Sequence, residues 1–184
     1  MNHNIYLVRH AHSVYTPDEL HRPLSERGET DTKRVTQILK EEHIDYVYSS
    51  PYKRAIQTVQ GVADFLRVNV LIEDRFKERR LAKKPVADFT HAITKVWEND
   101  SFFFKGGESN KMAQQRGIQG LMKVIEDHPG KNIVIGTHGN IMVLMMNYFN
   151  EAYGFQFWQE LDMPDIYKLT FTNSRLIEVT RLWK

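Results

Sequence analysis

The chain has 184 residues, of which 41% are hydrophobic and 26% charged, a composition typical of one globular domain with a sizeable core. Its 25 lysines and arginines nearly balance its 23 acidic residues, and the net charge of +2 predicts neither a nucleic-acid partner nor a membrane partner. The absence of cysteine excludes disulfides, thiolate metal sites and cysteine nucleophiles. The longest strongly apolar stretch, Ile141 to Met146, is too short to span a bilayer. We therefore expect a cytoplasmic protein.

The N-terminal part of the chain alternates predicted strands and helices. Ile5 to Val8 is a short apolar run typical of a buried strand, and the polar residues from Thr16 to Pro23, which include two prolines, predict a loop. Ser25 is a suitable N-cap for a helix that we expect to end near Glu42. Tyr46 to Ser49 predicts the second strand.

The second predicted helix has clear start signals. Ser50 is expected to act as its N-cap, and Pro51 is expected to occupy its first position. Its apolar residues recur at helical spacing, which predicts a stripe packed against a sheet: Tyr52, Ala55, Ile56, Val59, Val62, Ala63 and Leu66. Val68 to Ile72 then predicts the third strand.

The segment from Glu73 to Gly107 has the least regular pattern in the chain. It contains one predicted helix, near Val86 to Glu98, and we interpret residues 79–107 as a cap-like insertion. A longer helix is predicted from about Ser109 to Asp127, after the glycine pair that ends the insertion.

The C-terminal part completes the predicted sheet. Asn132 to Gly136 is apolar on both faces, which is typical of a central strand, and a helix is predicted from Gly139 to Asn150. Ile166 to Thr172 and Leu176 to Leu182 predict a hairpin. The alternation of strands and amphipathic helices predicts that residues 1–184 form a single three-layer α/β/α domain with a mostly parallel central sheet.

Cationic and imidazole side chains follow three of the predicted strands. Arg9 and His10 end the first strand, Arg54 lies in the first turn of the helix after the second strand, and His138 follows the fourth. The carboxyl ends of parallel strands share one edge of a sheet, where ligands of α/β proteins bind. Two guanidinium groups and two imidazoles at this edge predict a site for a dianion, most simply a phosphoryl group.

Five short motifs carry a family resemblance: Leu7-Val8-Arg9-His10 with Ser13, Leu24-Ser25-Glu26-Arg27-Gly28, Ser49-Ser50-Pro51-x-x-Arg54-Ala55-x-Gln57-Thr58, Gly107-Glu108-Ser109 and Thr137-His138-Gly139. In this order they resemble the motifs of the histidine phosphatase superfamily, the phosphoglycerate mutase-like group. Each motif is weak alone, but the set is specific and covers most of the chain.

The resemblance implies a phosphoglycerate mutase-like fold and a phosphatase that uses no metal or other cofactor and forms a phosphohistidine intermediate. It makes His10 the nucleophile and assigns Arg9, Arg54 and His138 to the phosphate pocket. A neutral imidazole can attack phosphorus and later leave, which divides one difficult step into two easier ones. Fixed cations stabilise the charge on the phosphoryl oxygens. The expected partner is a small phosphorylated substrate.

The resemblance also implies an acid after the third strand that protonates the leaving group. We assign this role to Glu78, because Phe76-Lys77-Glu78-Arg79 is similar to the family's Leu-Arg-Glu segment at the matching place. Glu73, Asp74 and Glu108 are the reserve candidates. Glu108 precedes a predicted helix, where a carboxylate also suits the positive end of the helix dipole.

The residues just after the nucleophile depart from the family pattern. Ala11 and His12 stand where the family more often has Gly and Glu, and Thr16 stands where many members have Asn. His12, Ser13 and Thr16 are therefore candidate substrate-binding residues. His12 is either a group that changes the charge of the pocket near neutral pH or a histidine of a surface loop.

Three other functions remain open at this point. One is a phosphoglycerate mutase-type phosphoryl transfer, although the segment from Glu78 to Gly107 is shorter than the insertion that such mutases usually carry. The second is a non-catalytic phosphoryl-binding domain. The third is a metallohydrolase built on His10, His12 and His138, which is disfavoured because His10 and His12 would point apart on an extended chain.

Two further groups of residues bear on the substrate. The basic run Arg79, Arg80, Lys83 and Lys84 is either a site for a second anionic group or a solvated face. The aromatic residues Trp97 and Phe102 to Phe104 either line an apolar substrate pocket or pack the cap onto the domain.

Overall fold

A computed structural model describes residues 2–184 and contains one sheet of six strands in the order β3-β2-β4-β1-β5-β6. The strands are β1 (Asn2–Arg9), β2 (Tyr46–Ser49), β3 (Val70–Ile72), β4 (Asn132–Thr137), β5 (Asp165–Thr172) and β6 (Arg175–Arg181). Strands β1 to β4 are parallel, whereas β5 pairs antiparallel with both β1 and β6. The predicted mostly parallel sheet and its C-terminal hairpin are confirmed.

Six helices cover the sheet: α1 (Glu26–Lys40), α2 (Lys53–Leu66), α3 (Phe89–Glu98), α4 (Asn110–Asp127), α5 (Gly139–Phe149) and α6 (Phe155–Gln159). Alternate residues of β1 face opposite layers: Tyr6 and Val8 pack with the apolar residues of α1 and α2, and Ile5 and Leu7 pack with those of α4 and α5. This arrangement is the predicted three-layer α/β/α fold. Helix α6 has only five residues and was not predicted.

Strand β4 lies inside the sheet, between β2 and β1. Its residues Ile133, Val134 and Ile135 are all fully buried. Val134 belongs to the core beneath α1 and α2, and its two neighbours belong to the core beneath α4 and α5. The prediction of a central strand that is apolar on both faces is therefore confirmed.

The predicted start of the second helix was wrong. Helix α2 begins at Lys53, and its N-cap residue, Tyr52, makes no side-chain capping bond. The hydroxyl of Ser50 lies before the helix, where it accepts a long bond of 3.3 Å from the N–H of Tyr52 and lies 2.7 Å from Nε2 of His138. A buried imidazole needs a hydrogen-bond partner in the protein, whereas water can often solvate the first turn of a helix. The Ser50 hydroxyl is therefore the hydrogen-bond partner of the His138 ring.

Two other boundaries shift for local reasons. Strand β3 begins at Val70 rather than Val68, because α2 ends in a left-handed Arg67 and the N–H of Val68 bonds back to the carbonyl of Ala63. Helix α3 begins at Phe89, since Asp88 caps it through its side chain. Across residues 2–184 we find no helix with the length and apolar character needed to cross a membrane.

Gly28 connects α1 to the chain that follows β1. A Cβ atom at this position would lie 2.1 Å from the carbonyl oxygen of His12. That carbonyl accepts a hydrogen bond of 2.9 Å from the N–H of Ser25, the N-cap of α1. The contact therefore fixes the segment after His10 against the first turn of α1.

We predict that Gly28→Ala destabilises the protein by about 2 kcal/mol, because the added methyl group must push the His12 backbone away. Helix propensity alone would make the same change stabilising by roughly 1 kcal/mol, so the sign of the effect tests the contact. Urea denaturation gives the free energy of unfolding. Gly154→Ala is the matched control, since its Cβ would meet nothing closer than 3.7 Å.

Candidate active site

The carboxyl edge of the sheet brings the predicted phosphate-binding residues together. Arg9 and His10 follow β1, His138 follows β4, and Arg54 lies in the first turn of α2. Arg9, His10 and Arg54 line a cavity of about 250 Å³, and the His138 ring lies edge-on to that of His10 with 5.2 Å between centroids. Glu78 lines the same cavity.

His10 is buried, with its two ring nitrogens in different environments. Nδ1 lies 2.7 Å from the carbonyl oxygen of Ala11, which can only accept, so Nδ1 carries the proton. Nε2 is therefore the nitrogen that carries the lone pair, and it accepts a long hydrogen bond of 3.4 Å from Nε–H of Arg54. Burial lowers the pKa of His10 to about 3, and the positive charges of Arg54 and Arg9 also lower it. The imidazole is neutral at physiological pH.

Backbone contacts fix the position of His10. The backbone N–H of His10 donates to the carbonyl of Thr137 at 3.0 Å, and the backbone N–H of Ala11 donates to Oγ1 of Thr58 at 3.0 Å. The Thr58 hydroxyl in turn donates to the carbonyl of Arg54 at 2.7 Å. The nucleophile candidate and the arginine beside it are thus tied to each other through α2.

Arg9 crosses the N-terminus of α5. A Cβ atom on Gly139 would lie 3.0 Å from Nε of Arg9, so glycine at this position allows the guanidinium to pass. Nη1 of Arg9 donates to the carbonyls of Leu161 and Asp162, each at 3.3 Å. Burial lowers the pKa of Arg9, and the nearby carboxylate of Glu78 opposes that change.

His138 is fully buried beneath the cavity. Its Nε2 lies 2.7 Å from Oγ of Ser50, whereas its Nδ1 is buried without a partner among the described residues. Burial holds the pKa of His138 well below its usual range, and the neighbouring His10 and Arg54 lower it further. His138 is therefore a neutral imidazole with one ring nitrogen uncommitted.

Glu78 reaches the N-terminus of α5. Its Oε1 accepts hydrogen bonds from the N–H groups of Arg79 and Ile141, at 2.8 and 3.0 Å, and its Oε2 accepts one from the N–H of Asn140 at 3.0 Å. A carboxylate at a helix N-terminus is favoured by the unpaired N–H groups there. Oε2 keeps a lone pair that is not used within the protein.

The three reserve acids are engaged outside the cavity. Glu73 caps the 3₁₀ turn Asp74–Phe76 and pairs with Arg75 at 2.8 Å, while Asp74 pairs with Lys77 at 2.9 Å. Glu108 forms a forked ion pair with Arg116, at 2.8 and 2.9 Å. Nη1 of Arg116 also binds the carbonyls of Arg75 and Lys77, so this pair fixes the chain that leads to Glu78.

The basic run does not form one solvated face. Arg79 is only 5% exposed, donates to the backbone of Glu108 and to the side chain of Asn110, and lines the cavity. Arg80, Lys83 and Lys84 are exposed and do not line it. The solvated-face interpretation is therefore wrong for Arg79, because the Gly107-Glu108-Ser109 motif approaches the backbone after it and buries the guanidinium.

The candidate substrate-binding residues separate into two groups. Ser13 lines the cavity, but His12 and Thr16 do not: the His12 ring pairs with the Ser25 hydroxyl at 2.7 Å, and the Thr16 hydroxyl donates to the backbone of Asp18. His12 is thus a histidine of a surface loop, held by the residue that caps α1.

Neither Trp97 nor the Phe102–Phe104 run lines the cavity; Trp97 donates to Oδ1 of Asn140 at 3.0 Å instead. The apolar wall is formed by Leu81, Phe89, Ile93, Trp158 and Met163.

Three polar residues of the cavity lining were not predicted from the sequence: Glu19, Arg22 and Asn140. Asn140 could have been found from its place beside His138 and Gly139, whereas the loop that carries the other two has no periodic pattern.

Hydrogen-bond donors without partners concentrate at this cavity. Five buried side-chain nitrogen or oxygen atoms of the described residues have no partner, and four of them belong to Arg9, Arg22, Arg79 and His138. The three arginine atoms are Nε groups, which can only donate. Within residues 2–184, no three His, Asp or Glu side chains converge in a way that could hold a metal ion. The cavity is built to receive an anion.

A family model agrees with this chemistry over nearly the whole chain. The model of the histidine phosphatase superfamily (branch 1) matches residues 5–182. Among characterised sequences, the chain is 31% identical to phosphoserine phosphatase 1 of Hydrogenobacter thermophilus over 150 residues, which are 73% of this chain and 70% of that protein. It is 29% identical to phosphoglycerate mutase-like protein 4 of Arabidopsis thaliana over 75% of this chain and 67% of that one.

Solved structures share the fold. A mutant phosphoserine phosphatase from Entamoeba histolytica in complex with phosphoserine superimposes with a TM-score of 0.80 and 19% identity, covering 98% of this chain and 96% of that one. A mycobacterial glucosyl-3-phosphoglycerate phosphatase superimposes with a TM-score of 0.79 and 17% identity, covering 100% and 99%. The phosphoglycerate mutase-like fold predicted from the motifs is confirmed.

We predict that the two buried imidazoles of the candidate site, His10 and His138, make stability depend on pH. His10 and His138 stay neutral in the folded protein, whereas an unfolded histidine takes up a proton near pH 6.5. The free energy of unfolding should therefore fall as the pH is lowered below about 6.5, by up to about 1.4 kcal/mol per pH unit for each group. The measurement is urea denaturation between about pH 4 and pH 7, a window that extends from just above the usual histidine pKa to well below it.

His10→Gln and His138→Gln should each make this pH dependence less steep, because glutamine does not titrate. His43→Asn, at an exposed histidine far from the cavity, is the control and should keep the slope of the parent protein. Parallel slopes for all four proteins would mean that the buried imidazoles do not resist protonation.

Proposed function

The chain belongs to the histidine phosphatase superfamily and is a phosphatase, and we propose that it hydrolyses small phosphomonoesters through a phosphohistidine at Nε2 of His10, without a metal ion. The observation that carries the proposal is the convergence of unpaired donors on a neutral imidazole. Among the described residues, Nε of Arg9 and Nδ1 of His138 are buried without partners beside His10, whose Nε2 accepts only a long hydrogen bond of 3.4 Å from Arg54. Such a site attracts a phosphoryl group and supplies its nucleophile.

In the first step, Nε2 of His10 attacks phosphorus and the bond from phosphorus to the ester oxygen breaks. Nδ1 keeps its proton throughout, because the Ala11 carbonyl holds it, so the phosphorylated ring is not required to lose a proton. Arg9, Arg54 and His138 donate to the equatorial oxygens, where charge changes during transfer. Losing one such donor typically costs about 2.7–4 kcal/mol of barrier.

The leaving alkoxide must take up a proton. We propose that Glu78, in its protonated carboxylic acid form, donates this proton and becomes a carboxylate; it lines the cavity, and its Oε2 accepts only one hydrogen bond among the described residues. In the second step, the Glu78 carboxylate accepts a proton from water while that water attacks phosphorus and the P–N bond breaks. Phosphate is then released, and His10 returns to its neutral form.

We propose that residues 79–107 act as a cap that contacts the alcohol half of the substrate. Leu81, Phe89 and Ile93 come from this segment and form one apolar wall of the cavity, while the phosphate-binding residues come from the ends of β1 and β4 and from α2. The rest of the single domain formed by residues 1–184, outside this cap, holds the reacting phosphoryl group.

The first test is chemical trapping. Rapid quenching during turnover should capture phosphate on His10 in an acid-labile, base-stable bond, and His10→Ala should lose at least about 1,000-fold in kcat/KM. The exposed variant His43→Asn should retain both the label and the activity. Full activity in His10→Ala would refute the mechanism.

The second test addresses Glu78. Glu78→Gln should slow alkyl phosphates by about 100-fold or more, but p-nitrophenyl phosphate by less than about tenfold, because nitrophenolate leaves without needing a proton. Asp74→Asn, which removes an exposed carboxylate four residues earlier, should change neither rate. Thermal unfolding of the variant checks that α5 keeps its N-terminal contacts. Equal losses for both substrates would assign the proton transfer to another group.

A further inference from the structure

The loop from Thr16 to Pro23 places a carboxylate on the phosphate-binding arginine. Oε2 of Glu19 lies 3.0 Å from Nη2 of Arg54, and the carbonyl oxygen of Glu19 accepts a hydrogen bond of 2.8 Å from Nη1 of the same guanidinium. The other carboxylate oxygen, Oε1, pairs with Arg22. The N–H of Lys53, just before Arg54, donates to the carbonyl of Leu20 at 2.9 Å and holds the loop in place.

This contact occupies the atoms of Arg54 that a phosphoryl group would use. Both terminal nitrogens of Arg54 bind Glu19, and only its Nε faces Nε2 of His10. Forked recognition of a phosphoryl group requires two N–H groups of one guanidinium. A phosphoryl group bound at His10 and the Glu19 carboxylate therefore compete for Nη2 of Arg54, while Nη1 is bound by the backbone carbonyl of Glu19.

The two partners differ in their freedom to move. The Arg54 side chain is 4% exposed, whereas the Glu19 side chain is 53% exposed. Glu19 can rotate into water at little cost, because a carboxylate in solvent is fully hydrated. Arg54 is held between Tyr52, over whose ring it lies at 4.8 Å, and the ring of His10. When an anion enters the cavity, the carboxylate is the group that leaves.

We propose that Glu19 is an internal anion that occupies Arg54 in the free enzyme and is displaced by the phosphoryl group of the substrate. The proposal rests on the assignment of Arg54 to phosphate binding. In the free enzyme, Glu19 compensates two guanidinium groups at the cavity, those of Arg54 and Arg22. In the complex with product, its return to Arg54 favours release of inorganic phosphate.

A different role for Glu19 predicts the opposite effect. If Glu19 only oriented Arg54, its removal would loosen the guanidinium and weaken phosphate binding. If the Glu19 carboxylate competes with phosphate, its removal makes Nη2 of Arg54 available and strengthens phosphate binding. The sign of the change in phosphate affinity therefore distinguishes competition from support.

The experiment compares inhibition constants of inorganic phosphate and of vanadate, with p-nitrophenyl phosphate as substrate. Glu19→Gln should lower both constants about tenfold, within the range usual for coupling between two ligands at one protein. The matched control is Asp18→Asn, which removes the same charge one residue away, from an exposed side chain that contacts His21 rather than Arg54. The control should leave both constants within about twofold of the parent protein.

A double-mutant cycle with Arg54→Ala tests whether the effect of Glu19 on phosphate affinity depends on the Arg54 guanidinium. Glu19→Gln should have no effect on phosphate affinity in the Arg54→Ala background, which itself should bind phosphate weakly. Unchanged or weaker phosphate inhibition in the single variant Glu19→Gln would overturn the competition. Undiminished phosphate binding in Arg54→Ala would instead refute the phosphate site, so the two failures are distinguishable.

Discussion

The active site depends on burying guanidinium groups without neutralising all of them. A buried charge is costly unless it is hydrogen-bonded, and full pairing with carboxylates would leave no positive potential for a substrate. The protein satisfies this constraint largely with backbone carbonyls. Nη1 of Arg9 binds the carbonyls of Leu161 and Asp162, and Arg79 binds the carbonyl of Glu108. Carbonyl dipoles hold the side chains but leave their net charge available to an anion.

The carboxylates around the site mainly bind residues that lie behind the cavity lining. Asp165 is fully buried and binds Arg181 and the N–H of Asp162, which places the Asp162 carbonyl beneath Arg9. Glu108 and Arg116 fix the chain before Glu78 in the same way. Among the described carboxylates that line the cavity, only Glu19 is bound directly to an arginine of the proposed phosphate site, and its side chain is 53% exposed, whereas that of Arg54 is 4% exposed.

The sequence was sufficient to predict the sheet, its layers and the strand ends that meet at the site, because these follow from apolar periodicity and from the shared edge of parallel strands. It was not sufficient where one polar atom has several possible partners. Ser50 had the position of an N-cap but serves His138, and Arg79 looked like part of a solvated run but is buried. Glu19 lies in a loop without periodicity, and only its contact with Arg54 reveals that it faces the cavity.

The two histidines of the site show why residue type alone does not assign a role. Both are buried, and both are neutral because burial and the neighbouring arginines lower the pKa of each. In His10 the Ala11 carbonyl holds Nδ1 and Nε2 accepts only a long bond from Arg54, whereas in His138 the Ser50 hydroxyl holds Nε2 and Nδ1 has no partner among the described residues. The nitrogen that is held sets the direction in which the other points. In the proposed mechanism, a nucleophile and a phosphate ligand thus arise from the same side chain through different hydrogen-bond partners.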